Sequence, residues 1–145
     1  MAILIDADGC PVVDLTVGIA KELSIECTIL CDTSHYFEKP GIKTITVSKG
    51  NDSVDFVLVN MVKKNDVVIT QDYGLAAMCL AKGAIPISQN GMVYTNGNID
   101  SLLYARHTAK KIRMSGARVK GPSKRTREQD EHFVKELIKL LTELQ

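Results

Sequence analysis

Ile3-Leu4-Ile5-Asp6-Ala7-Asp8-Gly9-Cys10-Pro11 is the stretch from which the rest of the chain is read. Three large apolar residues without alternation suit a strand buried on both faces, as in a parallel sheet. The run ends in two carboxylates and a glycine, so the acids fall at the strand's C-terminal end, where open α/β sheets bind ligands. In an extended strand Asp6 and Asp8 point to the same side. Carboxylates held that close repel, and they call for a divalent cation, a shared proton or a basic partner. Gly9 permits a turn, and Pro11 suits the first turn of a following helix. The competing reading makes one Asp a helix cap and leaves the other solvated.

Working outward, Val12, Val13, Leu15, Val17, Ile19, Ala20 and Leu23 predict a mostly buried helix to about residue 23. Glu26 to Cys31 reads as a second strand and Asp32 to His35 as a loop. After the Pro40-Gly41 turn, Ile42 to Val47 is β-branched and alternating, a third strand. Ser48-Lys49-Gly50-Asn51-Asp52 offers N-caps for a helix from Val54 to about Lys64. Val67 to Thr70 predicts a buried fourth strand, followed by Gln71-Asp72 and a small-residue helix from Tyr73 to Lys82 that Gly83 closes. Ala84 to Ile87 holds Pro86 and so reads as an edge strand. Asn90-Gly91 and Asn96-Gly97 bracket a predicted short hairpin. Ile99 to Met114 reads as a helix with a basic side, 115–125 as a basic loop, and Thr126 to Gln129 as a capping box opening an amphipathic helix over 127–143. The order β-α-β-β-α-β-α-β predicts one domain over residues 1–145: a three-layer α/β/α sandwich on a mainly parallel sheet of about five strands, plus a C-terminal helix.

Composition narrows the classes. Apolar content of 45% and charge of 24% over 145 residues are those of a globular protein. No apolar run approaches the roughly 20 residues of a membrane span. The N-terminus lacks a basic n-region and carries acids early, unlike a signal peptide. Cys10, Cys27, Cys31 and Cys79 are too sparse for a disulfide framework and read as reduced thiols of a cytoplasmic protein. Cys27-x3-Cys31-x3-His35 has loose metal spacing, but Cys27, Ile29 and Cys31 alternate onto one strand face, which favours buried thiols over zinc. Residues 101–127 hold nine cations and no acid, so the remainder of a chain with net charge +1 carries −8. That asymmetry suits contact with a phosphate backbone, or pairing of the basic segment with the acidic body.

Two strands end in acid: the first in Asp6 and Asp8, the fourth in Thr70-Gln71-Asp72. Asp55 falls in the first turn of the helix after strand three. If strands one and four are neighbours, these carboxylates converge on one sheet edge. Three or four acids with Thr70 and no clustered His match the oxygen preference of Mg²⁺ or Mn²⁺ rather than zinc. Such an ion can lower the pKa of bound water and steady a phosphodiester. Singly, Asp55 and Asp72 are equally good helix caps. Tyr73, beside Asp72, is placed to stack on a base.

Several stretches in order carry a resemblance: Asp6-Ala7-Asp8-Gly9-Cys10-Pro11-Val12, Gly50-Asn51-Asp52-Ser53-Val54-Asp55, Val68-Ile69-Thr70-Gln71-Asp72-Tyr73-Gly74-Leu75-Ala76, Arg106, and Gly121-Pro122. Over essentially its whole length the chain resembles the YaiI/YqxD-type bacterial proteins, which are similar to PIN-like nuclease domains. The resemblance implies a PIN-like α/β/α sandwich with acids at the sheet edge. The first Asp of the PIN pattern falls on Asp6 and its Thr-x-Asp on Thr70 and Asp72. Asp55 is the candidate for its helical acid, and Gln89-Asn90 stands where a further acid would be. Asp6-Ala7-Asp8-Gly9 also resembles the start of a haloacid-dehalogenase-type phosphatase, in which Asp6 would be the nucleophile and Asp8 the general acid.

The expectation is a Mg²⁺- or Mn²⁺-dependent phosphodiesterase acting on RNA or single-stranded nucleic acid. Asp6, Asp8 and Asp72 would hold the ion, Asp55 would assist, and Thr70 would orient water or phosphate. Arg106, Lys110, Arg113, Lys120, Lys124 and Arg125 would line the path of the nucleic acid. The alternative, a catalytically silent nucleic-acid-binding or regulatory module on the same fold, stays open.

Overall fold

The computed structural model describes residues 1–32, 39–48, 53–116 and 124–145. Its elements are β1 (Ile3–Asp6), α1 (Val13–Glu22), β2 (Cys27–Asp32), β3 (Lys43–Val47), α2 (Val54–Met61), β4 (Val67–Ile69), α3 (Tyr73–Ala81), β5 (Ile85–Ile87), α4 (Ile99–Met114) and α5 (Arg127–Leu144). The five strands form one sheet in the order β3-β2-β1-β4-β5, with every pair parallel. β1 is therefore the central strand, and the missing alternation of Ile3-Leu4-Ile5 has its cause: the three residues are 0%, 3% and 0% exposed.

Strand alternation sends neighbouring residues to opposite layers. Ile3, Ile5, Ile29 and Ile69 pack with Val13 and Val17 of α1 and with Phe133, Leu137 and Leu141 of α5. Leu4, Leu30 and Val68 pack on the other face with Leu58 of α2 and with Leu75 and Cys79 of α3. The architecture is the expected three-layer α/β/α arrangement, with α5 as the C-terminal helix. α4 lies outboard, where Ile99, Leu102 and Leu103 pack against Ala76, Ala77 and Leu80 of α3. Its second half is exposed apart from the partly buried Ala109. No helix among the described residues is long and apolar enough to cross a membrane.

Several local expectations shift. α1 begins at Val13, so Pro11 stands in the turn before it rather than in its first turn, and only Val13, Thr16, Val17 and Ala20 are buried. α2 is capped by Ser53, whose side chain accepts from Phe56 N, and it stops at Met61 rather than near Lys64. The early stop follows from Asp66, whose carboxylate accepts from Lys63 N at 2.8 Å and from Ala2 N at 3.0 Å and ties the reversal into β4. The predicted hairpin after Asn90-Gly91 is reduced to one antiparallel bridge, Ile87 to Val93. There the chain folds back on β5 itself: Ser88 N donates to Met92 O and Tyr94 N to the carbonyl of Pro86. The loop expected over 32–35 begins inside β2 at Asp32, and its remainder, His35 included, lies outside the described residues. Cys27 and Cys31 are buried free thiols on the α1/α5 face, and burial pushes the Cys27 thiol up to about 11.

The candidate acidic crevice

Parallel register builds the centre of the site. Ile5 of β1 pairs with Ile69 of β4, so the next residues, Asp6 and Thr70, lie side by side where the two strands end. The Thr70 hydroxyl donates to Asp6 Oδ2 at 2.7 Å and accepts from Asp72 N at 3.0 Å. With Thr70 only 2% exposed, its hydroxyl proton is committed to Asp6. Thr70 thus fixes the carboxylate, where the sequence reading had it orienting water or phosphate. Asp72 is the N-cap of α3, with Oδ1 accepting from Leu75 N at 3.1 Å. The cap reading of Asp72 is thus observed, and the same residue lines the crevice described below.

Asp8 arrives by a different route from the one expected. β1 ends at Asp6, so the shared-strand argument does not apply to Asp8. Gly9, at φ +71°, makes a left-handed turn that L side chains rarely adopt, and Cys10 N donates to Ala7 O across it. The Asp8 carboxylate accepts from Asp32 N, at the end of β2, at 3.0 Å. The ends of β2, β1 and β4, consecutive in the sheet, therefore contribute to one wall.

A crevice of about 400 Å³ opens here, lined by Asp6, Asp8, Asp72, Thr70, Tyr73 and Arg106 together with Cys10, Gln71 and Gln89. Burial pushes the Asp6 carboxyl up to about 6, against the opposing hydrogen bond from Thr70. The charges of Asp72, Asp8 and, least of them, Asp55 push it in the same direction. Burial also raises the Cys10 thiol, and Asp6 adds to the effect. Asp55 does not line the crevice; its Oδ1 accepts from Phe56 N at 3.1 Å, within the first turn of its own helix.

Among the described residues, no three His, Cys, Asp or Glu side chains are gathered closely enough to hold a metal ion between them. A closed protein cage is thus not what these residues offer. Apart from Cys10, the polar side chains lining the crevice are oxygen- and nitrogen-bearing ones, of Asp, Thr, Gln, Tyr and Arg. That donor set fits a hard cation which keeps several waters and takes one or two carboxylates, as Mg²⁺ does.

Arg106, Lys110 and Arg113 recur on α4 at helical spacing and are all exposed. Arg106 reaches the crevice, with Nη1 3.8 Å from Asp72 Oδ1. Lys124 is exposed, and Lys120 lies outside the described residues. Arg125 is engaged within the protein: Nε donates to Asp130 at 2.6 Å, Nη1 to Asn90 Oδ1 at 2.7 Å and Nη2 to Gln89 O at 2.7 Å. His132 of α5 is exposed and bonds Asn90 O through Nδ1 at 2.6 Å. Together with the bond from Gln89 N to Gln71 Oε1, at 2.9 Å, these contacts fix the 89–90 rim of the crevice. Sequence reasoning missed Gln71, Gln89 and Tyr94. The last sat in plain view between two Asn-Gly turns, and its hydroxyl donates to Thr70 O at 3.1 Å from a ring 1% exposed.

The profile of a bacterial family described as "Uncharacterized BCR, YaiI/YqxD family" matches residues 4–143. A UPF0178 protein of Exiguobacterium sibiricum is 52% identical over 143 residues, covering 99% of this chain and 98% of the relative. One of Ruminiclostridium cellulolyticum is 49% identical over 138 residues, covering 95% and 90%. One of Clostridium tetani is 45% identical, covering 97% of each. No solved structure matches the chain.

Proposed function

The chain belongs to the uncharacterised YaiI/YqxD family, and we propose that its crevice is a PIN-like phosphodiester-hydrolysing site that works with Mg²⁺ or Mn²⁺ on RNA or other single strands. The observation that carries this reading is the Asp6–Thr70–Asp72 unit, flanked by Asp8, at the C-terminal edge of the central strands. A half-buried carboxylate facing two others has its ionised form destabilised, and a cation or a proton offsets that. A bound divalent ion would supply an activated water and offset phosphate charge. Asp6 and Asp72, with Asp8 beside them, are the groups to bind it. Thr70 holds Asp6 in one orientation, which is a positioning role. Arg106 forms a long, exposed pair with Asp72, and its planar fork suits a phosphate at least as well. The cations along α4 extend from Arg106 and favour a polyanion by counterion release.

The silent-module reading has its own support: the carboxylates are not gathered into a cage, and Gln89 stands where a further acid would complete one. Cleavage of labelled single-stranded RNA separates the two. The enzymatic reading expects cutting that needs Mg²⁺ or Mn²⁺ and is lost in Asp6→Asn with the fold intact. Binding without cutting under either ion supports the silent module. Hydrolysis of small phosphomonoesters through a trapped acyl-phosphate on Asp6 supports the phosphatase alternative instead.

A further inference from the structure

We infer that Tyr73 is a base-stacking platform, by which the crevice prefers a strand carrying nucleobases over a bare phosphate ester. This rests on the reading of the crevice as a nucleic-acid site. Tyr73 is the first residue of α3, directly after the capping Asp72, and it is the one aromatic residue among those lining the crevice. Its ring meets that of Tyr94 at 5.9 Å between centroids and 64° between planes, an edge-to-face pair. Such a contact occupies at most one face of the Tyr73 ring and restricts its rotation. Tyr94 is itself fixed: it is 1% exposed, and its hydroxyl donates to the carbonyl of Thr70. Thr70 in turn holds Asp6. The aromatic ring and the carboxylate therefore share one rigid support, so a base on Tyr73 would set the position of the adjacent phosphate relative to Asp6 and Asp72. Base stacking on an aromatic ring is sequence-tolerant because every base has a π-face. The crevice would thus read the presence of a base and not its identity. The competing role is packing alone, since Tyr73 also borders the Ala76, Tyr94 and Ile99 cluster.

The test measures binding of two labelled phosphorothioate strands, which resist hydrolysis, in millimolar Mg²⁺. One carries uracil bases and the other is abasic with the same backbone. Tyr73→Leu keeps the apolar contact and removes the π-face; Tyr73→Phe keeps both. Stacking is worth roughly 5- to 150-fold in affinity per base. Tyr73→Leu should lose affinity in that range for the uracil strand and leave the abasic strand unchanged, and Tyr73→Phe should match wild type on both. Equal losses on both strands, or no loss on either, would overturn the platform. If wild type binds the two strands equally, the platform falls while the phosphate-binding reading of the crevice stands. If wild type binds neither, that reading falls and the platform with it. Tyr73→Trp guards against poor folding of the leucine variant. The chain has no tryptophan, so the introduced indole reports alone. Its emission should be quenched by the uracil strand and not by the abasic one, and quenching by both or neither overturns the proposal.

Discussion

Replacing Asp6 by Asn should make the metal-free protein more stable at neutral pH, an unusual outcome for a polar residue at the edge of a core. The magnitude follows from the shift of its carboxyl from 3.8 to about 6, caused first by burial and then by the neighbouring acids. Below pH 3.8 Asp6 is protonated in the folded and unfolded chain alike, and ionisation costs nothing. Between pH 3.8 and about 6 the folded protein retains a proton that the unfolded chain has lost, so its stability falls as pH rises. Above about 6 the full cost is present, about two pK units or about 3 kcal/mol. Asn, like the protonated acid, can accept from Thr70, and the lost charge assistance of that bond is already contained in the net shift. The gain at pH 7.5 is therefore about 3 kcal/mol, or about 6–12 °C in Tm for a chain of this size. Urea unfolding followed by circular dichroism, in EDTA, at pH 4, 5, 6 and 7.5, reads the difference between variant and wild type. That difference should grow from pH 4 to about 6 and then level off. A variant less stable than wild type at pH 7.5, or a difference independent of pH, would refute the account of Asp6 as a strained carboxylate.

Three other outcomes are expected. Mg²⁺ or Mn²⁺ at ten times its dissociation constant should stabilise wild type by about 1.4 kcal/mol, or about 3–6 °C in a thermal melt, and the Asp6→Asn, Asp72→Asn double variant should lack that increment. Changing Arg106, Lys110 and Arg113 together to Gln should flatten the salt dependence of single-stranded RNA affinity by about two log units per decade, at about 0.7 per phosphate contact, with little change in Tm; a loss of Tm with an unchanged slope would mean that these cations pair with the acidic body. Arg125→Ala should do the opposite, costing about 2 kcal/mol in chemical denaturation and leaving the salt slope intact, because its guanidinium is spent on Asp130, Asn90 and Gln89.

The elements were legible where local chemistry and global fold agree. The unbroken apolar run of β1 announced a strand buried on both faces, Pro86 announced an edge, and the Thr126–Gln129 capping box is present as read. Asp6, Thr70 and Asp72 could be placed together because they end strands that are neighbours. What could not be read depends on contacts distant in sequence. Asp8 takes its place from the Gly9 turn and from Asp32 on the next strand, not from strand alternation. Asp55 looked like a ligand by position, yet its side chain bonds within its own helix. Arg125 belonged to a run of cations by composition. Only the docking of the 89–90 rim on α5 turns it inward, and Gly91 makes that docking possible: a Cβ there would lie 2.9 Å from His132 Nδ1.

The two layers of helices differ in when they can be completed. The layer on the α2/α3 face draws on residues that are all present once the chain reaches β5. The opposite layer has α1 from near the start, but its remaining half is Phe133, Leu137 and Leu141 of α5, each fully buried against β1 and α1. During synthesis, at about 5–20 residues per second, the sheet therefore waits for seconds with one apolar face half uncovered. A chain broken anywhere between α4 and α5 would keep that face open permanently, with Ile3, Ile5, Val13 and Val17 presented to chaperones and proteases. The α1 side of the sheet is therefore completed only when α5 docks.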